Sequence, residues 1–129
     1  MEKPNEIAQM KIYVSSTDTF RGSLFYQAIA IEAKNSGIYG LTVYKGMFGF
    51  GVSSRHIDKK FWEPSEKTPI IIEMNDEREH LMKFINRIRP WFAETKKGFL
   101  VTITPSEFVL IKDQSGDTQI RTEDLDFVP

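Results

Sequence analysis

Residues 40–56 read GLTVYKGMFGFGVSSRH and change character twice. The first part alternates: Leu41, Val43 and the aliphatic part of Lys45 fall on one side, and Thr42 and Tyr44 fall on the other. This alternation is typical of a half-buried β-strand. We therefore expect a strand over residues 40–46.

The second part is a turn rich in glycine and phenylalanine, followed by a basic loop. Glycine adopts φ > 0 easily and lets another group approach the backbone closely. A flexible linker would carry serine or asparagine where the phenylalanines occur. The pattern indicates a loop that binds a ligand or a partner, and it does not indicate a reaction. The candidate ligand-binding residues are Lys45, Gly46, Gly49, Phe50, Gly51, Arg55 and His56.

The composition excludes several classes of protein. A chain of 129 residues predicts one domain over 1–129. The net charge of −1 provides no basic field for nucleic acid, and the lack of cysteine excludes disulfides and thiol chemistry. The first ten residues lack the apolar region of a signal peptide, and no apolar run approaches the ~18 residues of a membrane span. We expect a cytoplasmic protein without membrane insertion.

Hydrophobic spacing and capping signals predict the element order β-α-β-β-α-β. Ser23 is the expected N-cap of the first helix, and Gly37 is its expected stop. Asp76 and Glu79 resemble a capping box for the second helix, which Pro90 should end near residue 88 or 89. The expected strands are 11–14, 40–46, 68–74 and 99–104, with the first helix at 24–36, a long loop at 47–67 and additional strands at 108–112 and 118–122.

This order predicts an α+β, ferredoxin-like fold: a βαββαβ antiparallel sheet with two helices on one face and a C-terminal strand addition. The core would cover 11–112, and an extension would cover 113–129. Strands such as Ile70-Ile71-Ile72 are apolar on both sides. Two helices cover only one face of a sheet, so we expect a second copy of the chain to cover the other.

Three further residues are candidates for ligand contact. Glu73, at the end of an aliphatic strand, either pairs with Lys45 or Lys11 or faces a cleft. Lys96 and Lys97 are either solvated turn residues or phosphate contacts across a subunit boundary.

The run of three glycines from Gly46 to Gly51 also has two interpretations. It is either a tight turn or a concavity of backbone N–H groups that binds an anion.

The stretch GLTVYKGMFGFG at 40–51, with PIIIE at 69–73 and the helix that starts Leu24-Phe25, resembles a PII-like family catalogued as domain of unknown function 190. The similarity runs from about Lys11 to Ile111. The resemblance implies a ferredoxin-like subunit assembled as a homotrimer, with its sheets packed around the three-fold axis.

The resemblance also implies a function. PII-type proteins are regulators that bind adenine nucleotides between subunits and signal through a long loop after the second strand, here 47–67. The base of that loop would be Lys45, Gly46, Gly49 and Gly51, and the turn at 94–98 would contact phosphate. That turn lacks the glycine-rich phosphate signature of PII proteins, and no tyrosine lies between 47 and 67. AMP or ADP is therefore expected rather than ATP, with no obligatory cofactor, and the partner would be a membrane transporter or an enzyme.

Two alternatives come from other classes. His56, Asp58 and Glu73 suggest a metal-handling protein or a small enzyme, although a metal site needs at least three ligands in suitable geometry. His80, in the first turn of the second helix, is expected to be exposed. No nucleophile, base and orienting third group occur together, so we do not expect an enzyme. The other alternative is a structural trimer that binds no small ligand and uses its loop as an adhesive surface.

Overall fold

The computed structural model describes residues 6–50, 68–95, 97–112 and 118–120. Residues 118–120 are described by their backbone alone. A four-stranded antiparallel sheet carries two helices, and two small hairpins are added to it. In chain order the elements are β1 (Ile7–Ser15), β2 (Thr19–Phe20), β3 (Ser23–Leu24), α1 (Phe25–Asn35), β4 (Gly40–Lys45), β5 (Pro69–Glu77), α2 (Arg78–Glu94), β6 (Leu100–Ser106), β7 (Leu110–Lys112) and β8 (Thr118–Ile120).

The strand order of the main sheet is β4-β5-β1-β6, with every neighbouring pair antiparallel. β1 and β5 are the central strands and pair over nine residues, from Ile7–Glu77 to Ser15–Pro69. This arrangement confirms the predicted ferredoxin-like α+β fold. Neither described helix is both long and apolar enough to cross a membrane.

The core lies between the sheet and the two helices. Every second residue of the central strands is buried there, and the helices contribute side chains at helical spacing, such as Phe25, Ile29 and Ala33 from α1. Leu41 and Val43 of β4 pack against this core, as their alternation predicted. The largest fully buried side chains are Phe25, Met10, Ile12, Ile29, Ile70, Ile72, Met74, Leu81 and Ile88.

The sheet face that the helices leave uncovered, called the open face below, is less apolar than predicted. Because side chains alternate along a strand, the run Ile70-Ile71-Ile72 places only Ile71 on this face. Strand register aligns one apolar row across all four strands, and the two rows beyond it are mostly polar. The apolar row is Tyr44, Ile71, Tyr13 and Leu100, the next row is Thr42, Glu73, Lys11 and Thr102, and the third is Gly40, Asn75, Gln9 and Thr104.

The start of α1 differs from its prediction, and its end agrees. Ser23 belongs to β3, and the N-cap residue Leu24 makes no side-chain capping bond. The Phe25 N–H instead donates to the Asp18 carbonyl at 2.8 Å. At the other end Gly37 has φ +78°, and the Ile38 N–H donates to the Ala33 carbonyl at 3.0 Å. This is the Schellman arrangement, in which a left-handed glycine ends a helix.

The start and end of α2 also correct the predictions. Asp76 is the penultimate residue of β5, and the N-cap Glu77 makes no side-chain capping bond. The helix continues through Pro90 to Glu94. Phe92 is buried in the core, and the Trp91 ring stacks on Phe20 with centroids 4.6 Å apart. These tertiary contacts keep the last turn helical after the proline.

Two small hairpins lie outside the main sheet. Residues 19–24, for which no strand was predicted, form the hairpin β2–β3, with Arg21 at φ +50° and Gly22 at φ +84° at its tip. Two consecutive positive φ values define the turn that matches the twist of a short hairpin. β7 and β8 form the predicted additional strands, in a sheet of their own. The extension beyond residue 120 lies outside the described residues.

Candidate functional site

One end of the sheet, called the loop end below, collects the segments that the sequence singled out. β1 and β4 finish there, and β5 and β6 begin there, because neighbouring strands run in opposite directions. The residues at this end are the turn 15–18, the start of the long loop at 46–50, Thr68, and the turn 95–99.

The start of the long loop is fixed to the start of β5. The Gly46 N–H donates to the Pro69 carbonyl at 2.8 Å. A Cβ on Gly46 would lie 2.7 Å from Pro69 Cγ, which is closer than carbon atoms approach. A Cβ on Gly49 would make only an ordinary contact with the same atom, at 3.9 Å. Glycine is therefore required at position 46 by close approach and not by a positive φ.

The end of the long loop is fixed to β1. The Ser16 N–H donates to the Thr68 carbonyl at 2.8 Å, and the Thr68 N–H donates to Ser16 Oγ at 3.0 Å. The Ser15 N–H donates to Asp18 Oδ2 at 3.0 Å. Asp18 is 2% exposed, and in the described part of the chain its Oδ1 and Thr68 Oγ1 are buried without hydrogen-bond partners. Both ends of the loop are thus held by hydrogen bonds to neighbouring strands or turns.

Exposed apolar side chains follow the base of the loop. Met47 is 82% exposed, Phe50 is 60% exposed and Phe48 is 46% exposed. Lys45 is also exposed, at the end of β4. This surface offers one cation and aromatic faces within a few residues, which suits a flat ring that carries an anionic group. Gly51, Arg55, His56 and Asp58 lie outside the described residues.

The turn between α2 and β6 carries the second cation of the loop end. Lys97 is exposed, and its N–H donates to Thr95 Oγ1 at 3.3 Å. Lys96 lies outside the described residues. β4 and β6 are the two edges of the sheet, separated by three strand spacings of about 4.8 Å, or roughly 14 Å. A single chain does not bring the turn at 95–99 together with the loop base at 45–50.

Glu73 lies on the open face, one row away from the apolar row. Register places it beside Lys11 on β1 and Thr42 on β4. The Tyr44 hydroxyl donates to Glu73 Oε1 at 3.5 Å. Lys45 is opposite Ile70 and belongs to the other face, so the predicted Glu73–Lys45 pair does not form.

Sequence reasoning missed the contacts that Arg21 and His80 make. Arg21 at the tip of β2–β3 lies over the Phe20 ring, 4.7 Å from its centroid, and its Nη2 is 3.0 Å from Glu94 Oε2. The Arg-Gly pair signals a turn only through its glycine, because the short hairpin turns with a strong sequence signal carry Asn-Gly or Asp-Gly. At the opposite end of the molecule His80, expected to be exposed, is half-buried between Asp76 and the Ser36 carbonyl.

The described residues contain no cluster of three or more histidine, aspartate or glutamate side chains that could hold a metal ion. Nδ1 of His80 is 2.8 Å from Asp76 Oδ2, and its Nε2 is 3.0 Å from the Ser36 carbonyl. Both ring nitrogens are thus used in a structural contact that joins the start of α2 to the end of β5 and to the C-cap of α1.

The strand order and the two helices on one face define the class: a ferredoxin-like α+β domain with a long connection between β4 and β5. The family model of domain of unknown function 190, described as an uncharacterized ACR, matches residues 7–107. The chain therefore belongs to this family, as its glycine-aromatic motif indicated.

Relatives and solved structures agree with this assignment. The chain is 38% identical to a UPF0166 protein of Methanocaldococcus jannaschii over 96 residues, which are 74% of this chain and 84% of that protein. It is 26% identical to a UPF0166 protein of Aquifex aeolicus over 102 residues, 79% of this chain and 92% of the other.

Two solved structures share the fold at low sequence identity. A candidate PII-like signalling protein of Thermus thermophilus has a TM-score of 0.53 at 17% identity, and the match covers 93% of this chain and 95% of that one. The nitrogen regulatory PII-like protein CPII of Thiomonas intermedia, described with ADP, AMP and bicarbonate bound, has a TM-score of 0.51 at 12% identity over 78% of this chain and 94% of that one.

Proposed function

We propose that this protein is a PII-like regulator: a cytoplasmic homotrimer that binds an adenine nucleotide between subunits and presents loop 47–67 to a partner protein. One observation carries the proposal. The loop base at 45–50 and the turn at 95–99 lie at the same end of the sheet but at its opposite edges. A neighbouring copy that approaches edge to edge would bring its loop base next to this chain's turn at 95–99. These two segments form the two halves of the proposed nucleotide pocket, which is complete only in an assembly.

The open face supports association. Its apolar row places four large side chains next to each other where no helix covers them, and Tyr44 and Leu100 remain 39% and 48% exposed. Contiguous apolar surface of this kind marks an interaction site. Three sheets packed around an axis through this row would bury it, with the row of Glu73 and Lys11 beside it.

The chemistry of the two halves favours a nucleotide with few phosphates. Lys45 and Lys97 would act as point charges on phosphate, and Phe50 offers a face on which a base stacks. CPII is described with ADP and AMP bound, which makes these two nucleotides the first to test, ahead of ATP. The other proposed ligand residues are Gly46, Gly49, Gly51, Arg55, His56, Glu73 and Lys96.

Signalling would follow from a shift between conformations of loop 47–67. A ligand shifts such an equilibrium only through its different affinity for the two states. A nucleotide held at the base of the loop contacts the conformation that the partner, a membrane transporter or an enzyme, recognises. No catalytic step is part of this proposal.

Thermal unfolding with AMP, ADP, ATP and cyclic AMP tests nucleotide binding. A nucleotide at 100 times its Kd should raise the free energy of unfolding by about 2.7 kcal/mol. Lys97→Ala and Lys45→Ala should reduce this stabilisation, whereas Lys83→Ala, at an exposed position in the middle of α2, should not. The absence of any shift with all four nucleotides at millimolar concentration would refute the proposal.

A further inference from the structure

His80 contacts two hydrogen-bond acceptors, one through each ring nitrogen. Its Nδ1 lies 2.8 Å from Asp76 Oδ2 near the end of β5, and its Nε2 lies 3.0 Å from the carbonyl oxygen of Ser36, the C-cap of α1. A backbone carbonyl only accepts hydrogen bonds, so Nε2 must carry a proton in this contact. The carbonyl therefore fixes the position of one ring proton.

The contact with Asp76 requires a second ring proton. Asp76 already accepts the Tyr39 N–H at Oδ2 and the Glu77 N–H at Oδ1. Backbone donors of this kind stabilise the ionised form of a carboxyl group, which has no proton to give to a neighbour. The proton between His80 and Asp76 must then come from Nδ1.

A neutral histidine ring cannot satisfy both acceptors, because it has one N–H and one nitrogen without a proton. In either neutral form, a nitrogen lone pair would face an oxygen lone pair at 2.8 or 3.0 Å. The imidazolium form donates at both nitrogens. Its charge is also favoured by its position at the C-terminal end of α1, where the helix dipole is negative.

Other charged side chains near the ring pair with one another. Glu32 of α1 lies 3.4 Å from Arg87 of α2, and Glu79 lies 3.4 Å from Lys83 one turn further along α2. The remaining charged residues of the neighbouring segments are Glu6, Lys34, Glu77, Arg78 and Glu107. In the part of the chain that the structure describes, the charged group in direct contact with the ring is the Asp76 carboxylate.

We propose that His80 is an imidazolium in the folded protein at neutral pH and acts as a pH-sensitive latch. Its two N–H groups hold the start of α2 to the end of β5 and to the C-cap of α1, and loss of one proton breaks one of the two contacts. The latch lies at the end of the molecule opposite the loop base, and it does not depend on nucleotide binding.

The sign of the pH dependence follows from the number of bound protons. An exposed histidine in the unfolded chain releases its proton near pH 6.5, at about its ordinary pKa. Above that pH the folded state binds one proton more than the unfolded state, so the free energy of unfolding falls as the pH rises. The latch stabilises the fold fully in mild acid, and its contribution is lost as the folded protein releases the proton.

NMR of the histidine ring nitrogens tests the protonation state directly. The chain has two histidines, so His56→Gln assigns the signals of His80. At about pH 7.5, where an exposed histidine is mostly neutral, both ring nitrogens of His80 should carry protons. An unprotonated ring nitrogen on His80 at this pH would overturn the proposal.

Urea unfolding at a series of pH values tests the energetic coupling. Between about pH 6 and 8.5, the unfolding equilibrium constant of the unmodified protein should rise at least about fivefold more than that of His80→Gln, which carries no titratable ring. His56→Gln is the matched control and should keep the full pH dependence. Identical pH dependence of the unmodified protein and His80→Gln would contradict the latch.

Hydrogen exchange of the Tyr39 amide tests the local effect, because this N–H donates to the same Asp76 oxygen that His80 contacts. Its protection, relative to an unfolded peptide at the same pH, should fall at least about fivefold between about pH 6 and 8.5 in the unmodified protein. His80→Gln should show no such fall, and the central amides of Ile12 and Ile72 should stay protected in both. Constant protection of Tyr39 in the unmodified protein would overturn the latch.

Discussion

Gly46 is the residue of the loop base at which the structure leaves no room for a side chain. The added Cβ would meet the ring of Pro69 at 2.7 Å, and a proline ring moves less easily than a flexible side chain. Gly46→Ala should lower the free energy of unfolding by about 1–3 kcal/mol, as overpacking does. Urea unfolding followed by circular dichroism measures this change.

Gly40→Ala is the control, because it adds the same methyl group at the other end of β4. Its Cβ would lie 3.9 Å from the Asn75 carbonyl oxygen, an ordinary contact. The free energy of unfolding should change by less than about 0.5 kcal/mol. If the two variants are equally stable, the close approach at Pro69 has no energetic consequence.

Asp76 accepts three hydrogen bonds at the junction of β5 and α2. Its Oδ2 receives the Tyr39 N–H at 2.9 Å and lies 2.8 Å from Nδ1 of His80, and its Oδ1 receives the Glu77 N–H at 2.6 Å. Asp76→Ala should destabilise the protein by about 3 kcal/mol, because buried donors left without an acceptor cost roughly 1–3 kcal/mol each.

A double-mutant cycle separates the His80 contact from the other two. His80→Ala should cost about 1 kcal/mol, and the Asp76→Ala/His80→Ala double variant should be less destabilised than the sum of the two by at least ~0.5 kcal/mol. Additive effects would show that the pair is not coupled. The sequence identified both residues but assigned them to a cap and an exposed surface, because the partner groups, Tyr39 and Ser36, are distant in the chain.

The hairpin β2–β3 and the last turn of α2 hold each other in place. Phe20 stacks on Trp91 and lies 5.8 Å from Phe25, centroid to centroid, and it is 8% exposed. Phe20→Ala should therefore cost about 3–5 kcal/mol. Arg21→Ala removes an exposed ion pair with Glu94 and an exposed cation–π contact with Phe20, and it should cost less than about 2 kcal/mol. Denaturant unfolding compares the two; equal losses would mean that the hairpin is held by its charged tip.

Periodicity predicted the elements of the fold, and tertiary contacts decided their ends. The alternation at 40–46 and the helical spacing of Phe25, Ile29 and Ala33 are local signals. The structure has β4 and α1 at the positions that these signals predicted. Pro90 is a local signal too, but the packing of Trp91 and Phe92 outweighs it. The candidate site depends on strand order, which places Lys97 and Lys45 at opposite edges, and the sequence carries no direct signal for that separation.

For the whole molecule, the apolar row of the open face is where assembly can be tested. Ile71 lies in the middle of that row, flanked by Tyr44 and Tyr13, and points away from the core formed by the two helices. Light scattering of the unmodified protein at micromolar concentration should give three times the 14.9 kDa of the chain. Ile71→Lys would place three ammonium groups near the axis of the proposed trimer, and charges without partners in an interface are strongly unfavourable.

The expected result for Ile71→Lys is a monomer of unchanged helix content that has lost the stabilisation by AMP or ADP, because the pocket needs two copies. Lys83→Glu, on the outer surface of α2, is the control and should remain trimeric and bind nucleotide. A monomeric variant that binds nucleotide normally would place the ligand within one subunit. A native protein that is itself monomeric would remove the physical basis for a pocket between the loop base and the turn at 95–99, since roughly 14 Å of sheet separates them in one chain.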